Sequence, residues 1–150
     1  MIRPAVPADL AAVERIVRDA YTPYIARIGK APGPMRDDYA AQIAAGTVSV
    51  ADVDGPVERA IGGLIVLIAE PDHLLLDNIA VAPALQGRGV GGALMRFADD
   101  EALRRGLGEL RLYTHVLMTE NIARYQRLGW RETHRASVDG YDRVFMVKRV

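Results

Sequence analysis

Val81-Ala82-Pro83-Ala84-Leu85-Gln86-Gly87-Arg88-Gly89-Val90-Gly91-Gly92 is the stretch that decides how this chain folds. Ahead of it, Leu74 to Val81 has the apolar content of a strand, apolar on both faces except at Asp77 and Asn78. Behind it, Val90, Leu94, Phe97, Ala98 and Ala102 recur at the spacing of an amphipathic helix that ends near Arg105-Gly106. Glycines at such a junction let the backbone pass close to a ligand. The first turn of the helix offers unpaired N–H groups carrying partial positive charge. The segment is equipped to hold an anion, and phosphate is the usual one.

Gly87-x-Gly89-x-x-Gly92 also satisfies the dinucleotide fingerprint. Three features count against that use. The connection from Ala82 to Gln86 is long where a dinucleotide site needs a tight turn. The next strand ends Tyr113-Thr114-His115-Val116, with no acid for a ribose. The loop also lies past mid-chain, leaving too little sequence for a dinucleotide enzyme. A P-loop fails for want of Gly-Lys-Ser or Gly-Lys-Thr.

Outward from this junction the texture is regular. Met1 to Arg3 suits a short first strand, and Leu10, Val13, Val17, Ala20, Tyr21 and Tyr24 mark a first helix. Gly29, Pro32, Gly33 and Pro34 predict a loop from about Tyr24 to Met35, followed by a helix from Arg36 to Ala45. Strands are expected at Thr47–Ala51 and Ile61–Ile68, with a turn at Asp54-Gly55-Pro56 between them. Leu74–Val81, apolar on both sides, belongs at the centre of its sheet. Leu110–Val116 reads as a strand, Thr119–Leu128 as a helix and Trp130–His134 as a strand. Asp139-Gly140 turns the chain into a last strand, Tyr141–Lys148. One mixed sheet with helices on both faces is the simplest packing of this order, giving an α/β domain over residues 1–150.

Composition removes whole classes of function. The 150 residues are 50% hydrophobic and 25% charged, which suits one folded domain. Lys plus Arg and Asp plus Glu both count 19, so the basic excess expected of a nucleic-acid binder is missing. No cysteine is present, which excludes a thiolate nucleophile or thiolate metal site. Ser49 and Ser137 lie outside any nucleophile elbow, and His73, His115 and His134 lack metal-ligand spacing. No signal-peptide core or membrane-length apolar run is seen, so a cytoplasmic setting is expected, without membrane or metal.

Gln86-Gly87-Arg88-Gly89-Val90-Gly91 resembles the Gln/Arg-x-x-Gly-x-Gly/Ala signature of the GNAT family of N-acetyltransferases. Ile79-Ala80-Val81-Ala82-Pro83 is similar to that family's strand before the loop. Asn121-Ile122-Ala123-Arg124-Tyr125-Gln126-Arg127-Leu128-Gly129-Trp130 resembles its Asn…Tyr…Gly-Phe segment, except that Met118 stands where many relatives carry the asparagine. The resemblance implies a GNAT-like fold: a mostly antiparallel sheet of about seven strands, splayed between strands 4 and 5 and flanked by about four helices.

It also implies acetyl-coenzyme A as co-substrate. The amides of Gly87, Arg88, Gly89, Val90, Gly91 and Gly92 would hold its pyrophosphate, with the Gln86 side chain shaping the loop. Ile79, Ala80 and Val81 would pair with the pantetheine arm, and Asn121 would touch that arm or a water. Tyr125 takes the family's general-acid position. Its phenol, with a pKa near 10 against roughly 8.5 for a thiol, keeps a proton to offer a departing thiolate. A sensor that binds acyl-coenzyme A without turnover is the alternative.

The base is open between Asp77, His115 and water. Asp77 interrupts a buried strand, where a carboxylate needs a partner or a raised pKa. By the same resemblance the acceptor, a small-molecule or peptide amine, would be read by Tyr24, Ile28, Met35 and Tyr39 with Tyr141 from the last hairpin. A homodimer is also implied. The sequence does not name the acceptor.

Overall fold

The computed structural model describes residues 1–54 and 59–150. The Gly55-Pro56 part of the expected turn therefore lies outside the described residues. Seven strands form one sheet in the order β1-β2-β3-β4-β5-β7-β6. They are β1 (Ile2–Pro4), β2 (Val48–Asp54), β3 (Arg59–Ala69), β4 (Leu74–Val81), β5 (Glu109–His115), β6 (Arg131–Val138) and β7 (Tyr141–Arg149). Every neighbouring pair is antiparallel except β4 with β5. Four α-helices cover the sheet: α1 (Leu10–Ile28), α2 (Tyr39–Ala44), α3 (Val90–Arg104) and α4 (Thr119–Arg127). Among the described residues no helix is long and apolar enough to cross a membrane.

Two apolar cores follow from strand alternation. On one face, Val13, Ile16, Val17 and Tyr21 of α1 and Ile43 of α2 pack on Val48, Val50, Leu64, Val66 and Ala80. On the other, Leu94, Met95 and Ala98 of α3 and Ile122 and Tyr125 of α4 pack on Ile65, Leu74, Leu76, Leu110 and Leu112. Gly63 of β3 permits this close fit. A Cβ there would stand 3.0 Å from the Ala80 carbonyl and 3.1 Å from both Leu94 and Val90.

The feature that opens the sheet sits in β4. Its antiparallel register with β3 slips between Val66 and Leu67, leaving Asp77 as the extra residue of a β-bulge. One extra residue changes which face each later side chain takes. Leu74 and Leu76 therefore belong to the α3 core, while Asn78 and Ala80 turn towards α1. The β4–β5 pairing stops just before the bulge, at Leu76 with Leu112. Beyond that point both strands continue unpaired with each other, so β4 and β5 diverge as expected.

Of the boundaries that differ from the sequence expectation, three are instructive. First, α1 runs through Pro23 to Ile28 instead of giving way to a loop near Tyr24, and closes on Gly29. Pro23 lies on the exposed face, while Tyr24 and Ile28 pack against the core. Packing thus outweighs the loss of one helical hydrogen bond. Second, α2 starts at Tyr39 rather than Arg36, because Asp38 caps it by accepting the Ala41 amide at 3.0 Å. A single 3₁₀ turn, Gly33–Arg36, precedes it. Third, β6 runs from Arg131 to Val138 rather than Trp130 to His134. Trp130 is instead buried against Tyr125, with ring centroids 6.2 Å apart.

Candidate active site

The divergence of β4 from β5 is flanked by two cavities. The first is a groove of about 730 Å³ between α1, the glycine segment and α4. Its lining includes Ile79, Ala80 and Val81 along the free edge of β4, with Gln86, Gly87, Gly89, Gly91 and Gly92 at the start of α3. The long connection that told against a dinucleotide turn is a 3₁₀ turn, Pro83–Leu85.

Gly87 and Gly89 have φ of 79° and 87°, conformations that side chains other than glycine rarely adopt. Gly89 caps α3, and the Ala93 amide is the first of that helix to reach back, donating to the Gly89 carbonyl at 3.0 Å. The amides of Val90, Gly91 and Gly92 therefore precede the helical ladder and present the positive end of its dipole. Val90 directs its side chain into the α3 core, and neither Val90 nor Arg88 lines the groove. Arg124 does line it, with Nη1 3.9 Å from where a Gly91 Cβ would stand. This cation stood inside a quoted motif, yet only the fold brings it to the glycines.

The second cavity, about 390 Å³, lies on the other side of the divergence. Tyr21, Ile79, Asn121 and Tyr125 line both spaces, so the two share one wall. Tyr125 is 8% exposed, and burial pushes its phenol up to about 12, so it keeps its proton throughout the neutral range. Asn121 contacts the Met118 sulfur at 3.9 Å.

Asp77 lines the second cavity but is only half-buried, which corrects the expectation of a buried carboxylate. The bulge carries it to the cavity, where Oδ1 accepts from the Tyr113 hydroxyl at 3.2 Å and Oδ2 from the Gln42 amide at 3.4 Å. Gln42 Oε1 is buried with no partner among the described residues. His115 lines the same cavity. Burial lowers its pKa, and its Nδ1 accepts from the Leu117 amide at 3.1 Å, which assigns the neutral ring's proton to Nε2.

The buried polar residue of β4 is Asn78, not Asp77. Its Oδ1 accepts from the Tyr21 hydroxyl at 2.6 Å, and its Nδ2 donates to the Tyr39 hydroxyl at 2.9 Å. Tyr39 in turn donates to the Pro34 carbonyl at 2.6 Å. Tyr39 is thus a strut between β4 and the segment ahead of α2. Ile28 and Met35 pack against the α1 core, and Tyr24 lines the groove rather than the second cavity.

Of the expected acceptor-reading residues, Tyr141 alone lines the second cavity. Its hydroxyl donates to the Ala31 carbonyl at 2.6 Å, and Lys30 Nζ donates to the Gly140 carbonyl at 2.5 Å. These bonds fasten the β6–β7 hairpin to the 29–36 segment as a roof. Asp37, next on that segment, has its carboxyl pushed up to about 6. Burial against the cavity wall is the larger cause and the Asp77 charge the next, although the residue as a whole remains exposed. Asp37, Tyr113 and Arg143 gave no signal in the sequence because no local motif contains them.

Residues 44–132 match the Acetyltransferase (GNAT) domain family, more than half of the chain. The chain belongs to the GNAT family. A segment of 58 residues is 40% identical to the streptothricin acetyltransferase of Streptomyces lavendulae, covering 39% of this GNAT chain and 31% of that protein. The fold superposes on the PaiA N-acetyltransferase of Thermoplasma acidophilum, solved with coenzyme A. The TM-score is 0.80 at 19% identity, with 100% of this chain and 98% of the other covered. Nourseothricin acetyltransferase gives 0.73 at 22% identity, covering 99% and 97%. Ard1 of Thermoplasma volcanium gives 0.76 at 21%, covering 100% and 97%. These structural likenesses establish a GNAT fold.

Proposed function

We infer that this GNAT protein is an acetyl-coenzyme A-dependent N-acetyltransferase that passes an acetyl group directly to an amine in a ternary complex. One observation carries this: a glycine-walled groove and a polar cavity meet at Tyr125, at the divergence of β4 and β5. The groove fits the coenzyme by chemistry as well as size. Three amides at the start of α3 and the nearby Arg124 suit a pyrophosphate, and the free edge of β4 at Ile79–Val81 suits an amide-bearing arm. Bound there, acetyl-coenzyme A supplies an activated thioester to the cavity beyond.

The chain's own part is positional and electrostatic. Tyr125 retains its proton and offers it to the sulfur as negative charge builds there. The acceptor nitrogen sheds one proton while the sulfur gains one, and Asp77, His115 or a water between them collects it. Asn121, beside Tyr125 on α4 and lining both spaces, is assigned to orient the arm or a water. Gln86 shapes the loop, and Gly87, Gly89, Val90, Gly91 and Gly92 offer their amides, the Arg88 amide being given to the Leu85 carbonyl at 3.3 Å. The homodimer and the cytoplasmic setting belong to the same proposal, testable by sedimentation and by fractionation of cells.

Thermal unfolding with and without excess acetyl-coenzyme A, beside NAD, tests the donor. At about a hundred times its dissociation constant a ligand stabilises by roughly 2.7 kcal/mol, several degrees for this size. A shift with acetyl-coenzyme A alone is expected, and a shift only with NAD overturns the assignment. If the coenzyme binds but no amine is turned over, the alternative of a non-catalytic acyl-coenzyme A sensor stands instead.

A further inference from the structure

The second cavity holds charges of both signs that are kept from neutralising one another. Arg143 lines it, half-buried, with its guanidinium 4.3 Å from the Tyr113 ring centroid and 5.9 Å from that of Tyr141. Among the described residues Arg143 has neither an ion pair nor a hydrogen-bond acceptor, although its stacking fixes where the donors stand. Gly33 of the roof adjoins it, and a Cβ there would make only an ordinary contact, 3.9 Å from Nη2. Asp77 is the opposite case. Both of its oxygens accept from neutral donors, Tyr113 and Gln42, and among the described residues no cation is paired with it. Asp37 likewise has no ion pair among the described residues, although the Arg143 charge partly offsets the burial of its carboxyl.

Tyr113 is the separator. Its face carries Arg143 and its hydroxyl carries Asp77. Two opposite charges sharing a small cavity would ordinarily pair, because an unpaired half-buried charge is costly. Here Tyr113 engages each of them separately, Arg143 on its face and Asp77 at its hydroxyl. The remaining charged groups do not cancel this arrangement. Arg36 and Asp139 line the exposed mouth, one of each sign, and His115 is biased towards neutrality by its burial.

We propose that the acceptor is a free amino acid, its carboxylate bound by Arg143 and its amine held between Asp77 and Asp37, facing Tyr125. The proposal rests on the acetyltransferase function inferred above and names its substrate class. Arg143 supplies the planar fork that carboxylates fit, and the aromatic stacking limits the freedom lost on binding. A simple amine would leave Arg143 unpaired beside the ligand, and a carboxylic acid without an amine would leave Asp77 so. A site built to bond a particular polar group discriminates strongly against an analogue lacking it. The cavity volume of about 390 Å³ suits a molecule of this size.

The test uses the whole chain with acetyl-coenzyme A and measures kcat/KM over a panel. The panel comprises the proteinogenic amino acids, β-alanine and 4-aminobutyrate, each beside its primary amide, the decarboxylated amines and spermidine. The expected result is turnover of at least one amino acid, with kcat/KM falling at least about 100-fold on amidation. In Arg143→Gln the acid should lose its advantage over its amide, while the thermal shift given by acetyl-coenzyme A is unchanged. Arg143→Lys, which keeps the charge but not the fork, should recover part of the preference.

Amides, decarboxylated amines or spermidine used as well as the acids would overturn the proposal and leave the acetyltransferase assignment standing. So would failure to turn over any amino acid in a protein that acetyl-coenzyme A stabilises. Absence of any stabilisation by acetyl-coenzyme A would instead remove the functional assignment beneath it. The panel on the unaltered chain decides the matter even if an Arg143 variant does not fold.

Discussion

The groove and the cavity on either side of the β4–β5 divergence are built by opposite means. The groove takes its polarity chiefly from backbone, with Arg124 added: glycines at Gly87 and Gly89, the free amides opening α3, and the unpaired edge of β4. The cavity takes its polarity from side chains, Asp37, Asp77, Tyr113, His115 and Arg143, drawn from four separate parts of the chain. Backbone recognition suits a ligand that never changes. Side-chain recognition can be altered one residue at a time without disturbing the sheet, and suits an acceptor that defines one particular enzyme.

That contrast can be broken most sharply at the wall the two spaces share. Tyr125→Phe removes a proton and little else, so kcat should fall by about 10²- to 10⁴-fold while stabilisation by acetyl-coenzyme A survives. Unchanged turnover would dismiss Tyr125 as the acid. On the groove side, Gly91→Glu is the cleaner probe of anion binding. Gly91 is helical, and a Cβ there meets only ordinary contacts, 3.6 Å from Val81. Gly89→Glu adds backbone strain to the charge because of its φ of 87°. Both variants should stay folded and lose the roughly 2.7 kcal/mol of stabilisation that coenzyme at hundredfold excess would give. Normal binding in both would move the phosphate site elsewhere.

On the cavity side, Asn78→Ala removes one hydrogen bond from each of the Tyr21 and Tyr39 hydroxyls, which keep the Ile79 and Pro34 carbonyls, and should cost about 1–2 kcal/mol in urea unfolding. An unchanged midpoint would show that the strut is dispensable. The smallest effect is expected at Asp37. Its carboxyl titrates near 6 in the folded chain, above the ordinary 3.8, so the ionised form is the one that folding disfavours. The penalty is complete above about pH 6 and fades as the pH falls from there towards 3.8. Asp37→Asn should therefore raise the melting temperature slightly at pH 7.5 and hardly at pH 4. An equal gain at both pH values would separate its effect from ionisation.

The same contrast explains what was legible in the sequence. The glycine and α4 walls of the groove are written in two short contiguous stretches, residues 79–92 and 121–130, and so could be anticipated, whereas the wall from α1, with Tyr21, Tyr24 and Arg27, could not. Within those stretches Arg88 is the exception, since its amide is turned back to the Leu85 carbonyl at 3.3 Å. The succession of elements along the chain was legible from local pattern, and the divergence of the sheet through the family resemblance those stretches carry. The cavity was not, because Asp37, Tyr113 and Arg143 are ordinary residues until the fold joins them. Tyr24, Ile28, Met35 and Tyr39 were expected to face an acceptor, yet their apolar spacing equally describes the core and strut positions they occupy. The end of α1 was misjudged at Pro23 because breaker residues signal only local cost, whereas Ile28 gains its place from tertiary packing.

The bulge at Asp77 makes β4 far more tolerant of substitution than of a change in length. Replacing Asp77 alters one group on a cavity wall. Deleting it would put Leu76 and Asn78 in plain register opposite Leu67 and Val66, leaving their faces unchanged but removing the bend at which β4 parts from β5. Over evolutionary time such a strand can vary its letters freely but not their number, so descendants of this chain should diverge around that position by exchange and not by insertion or loss.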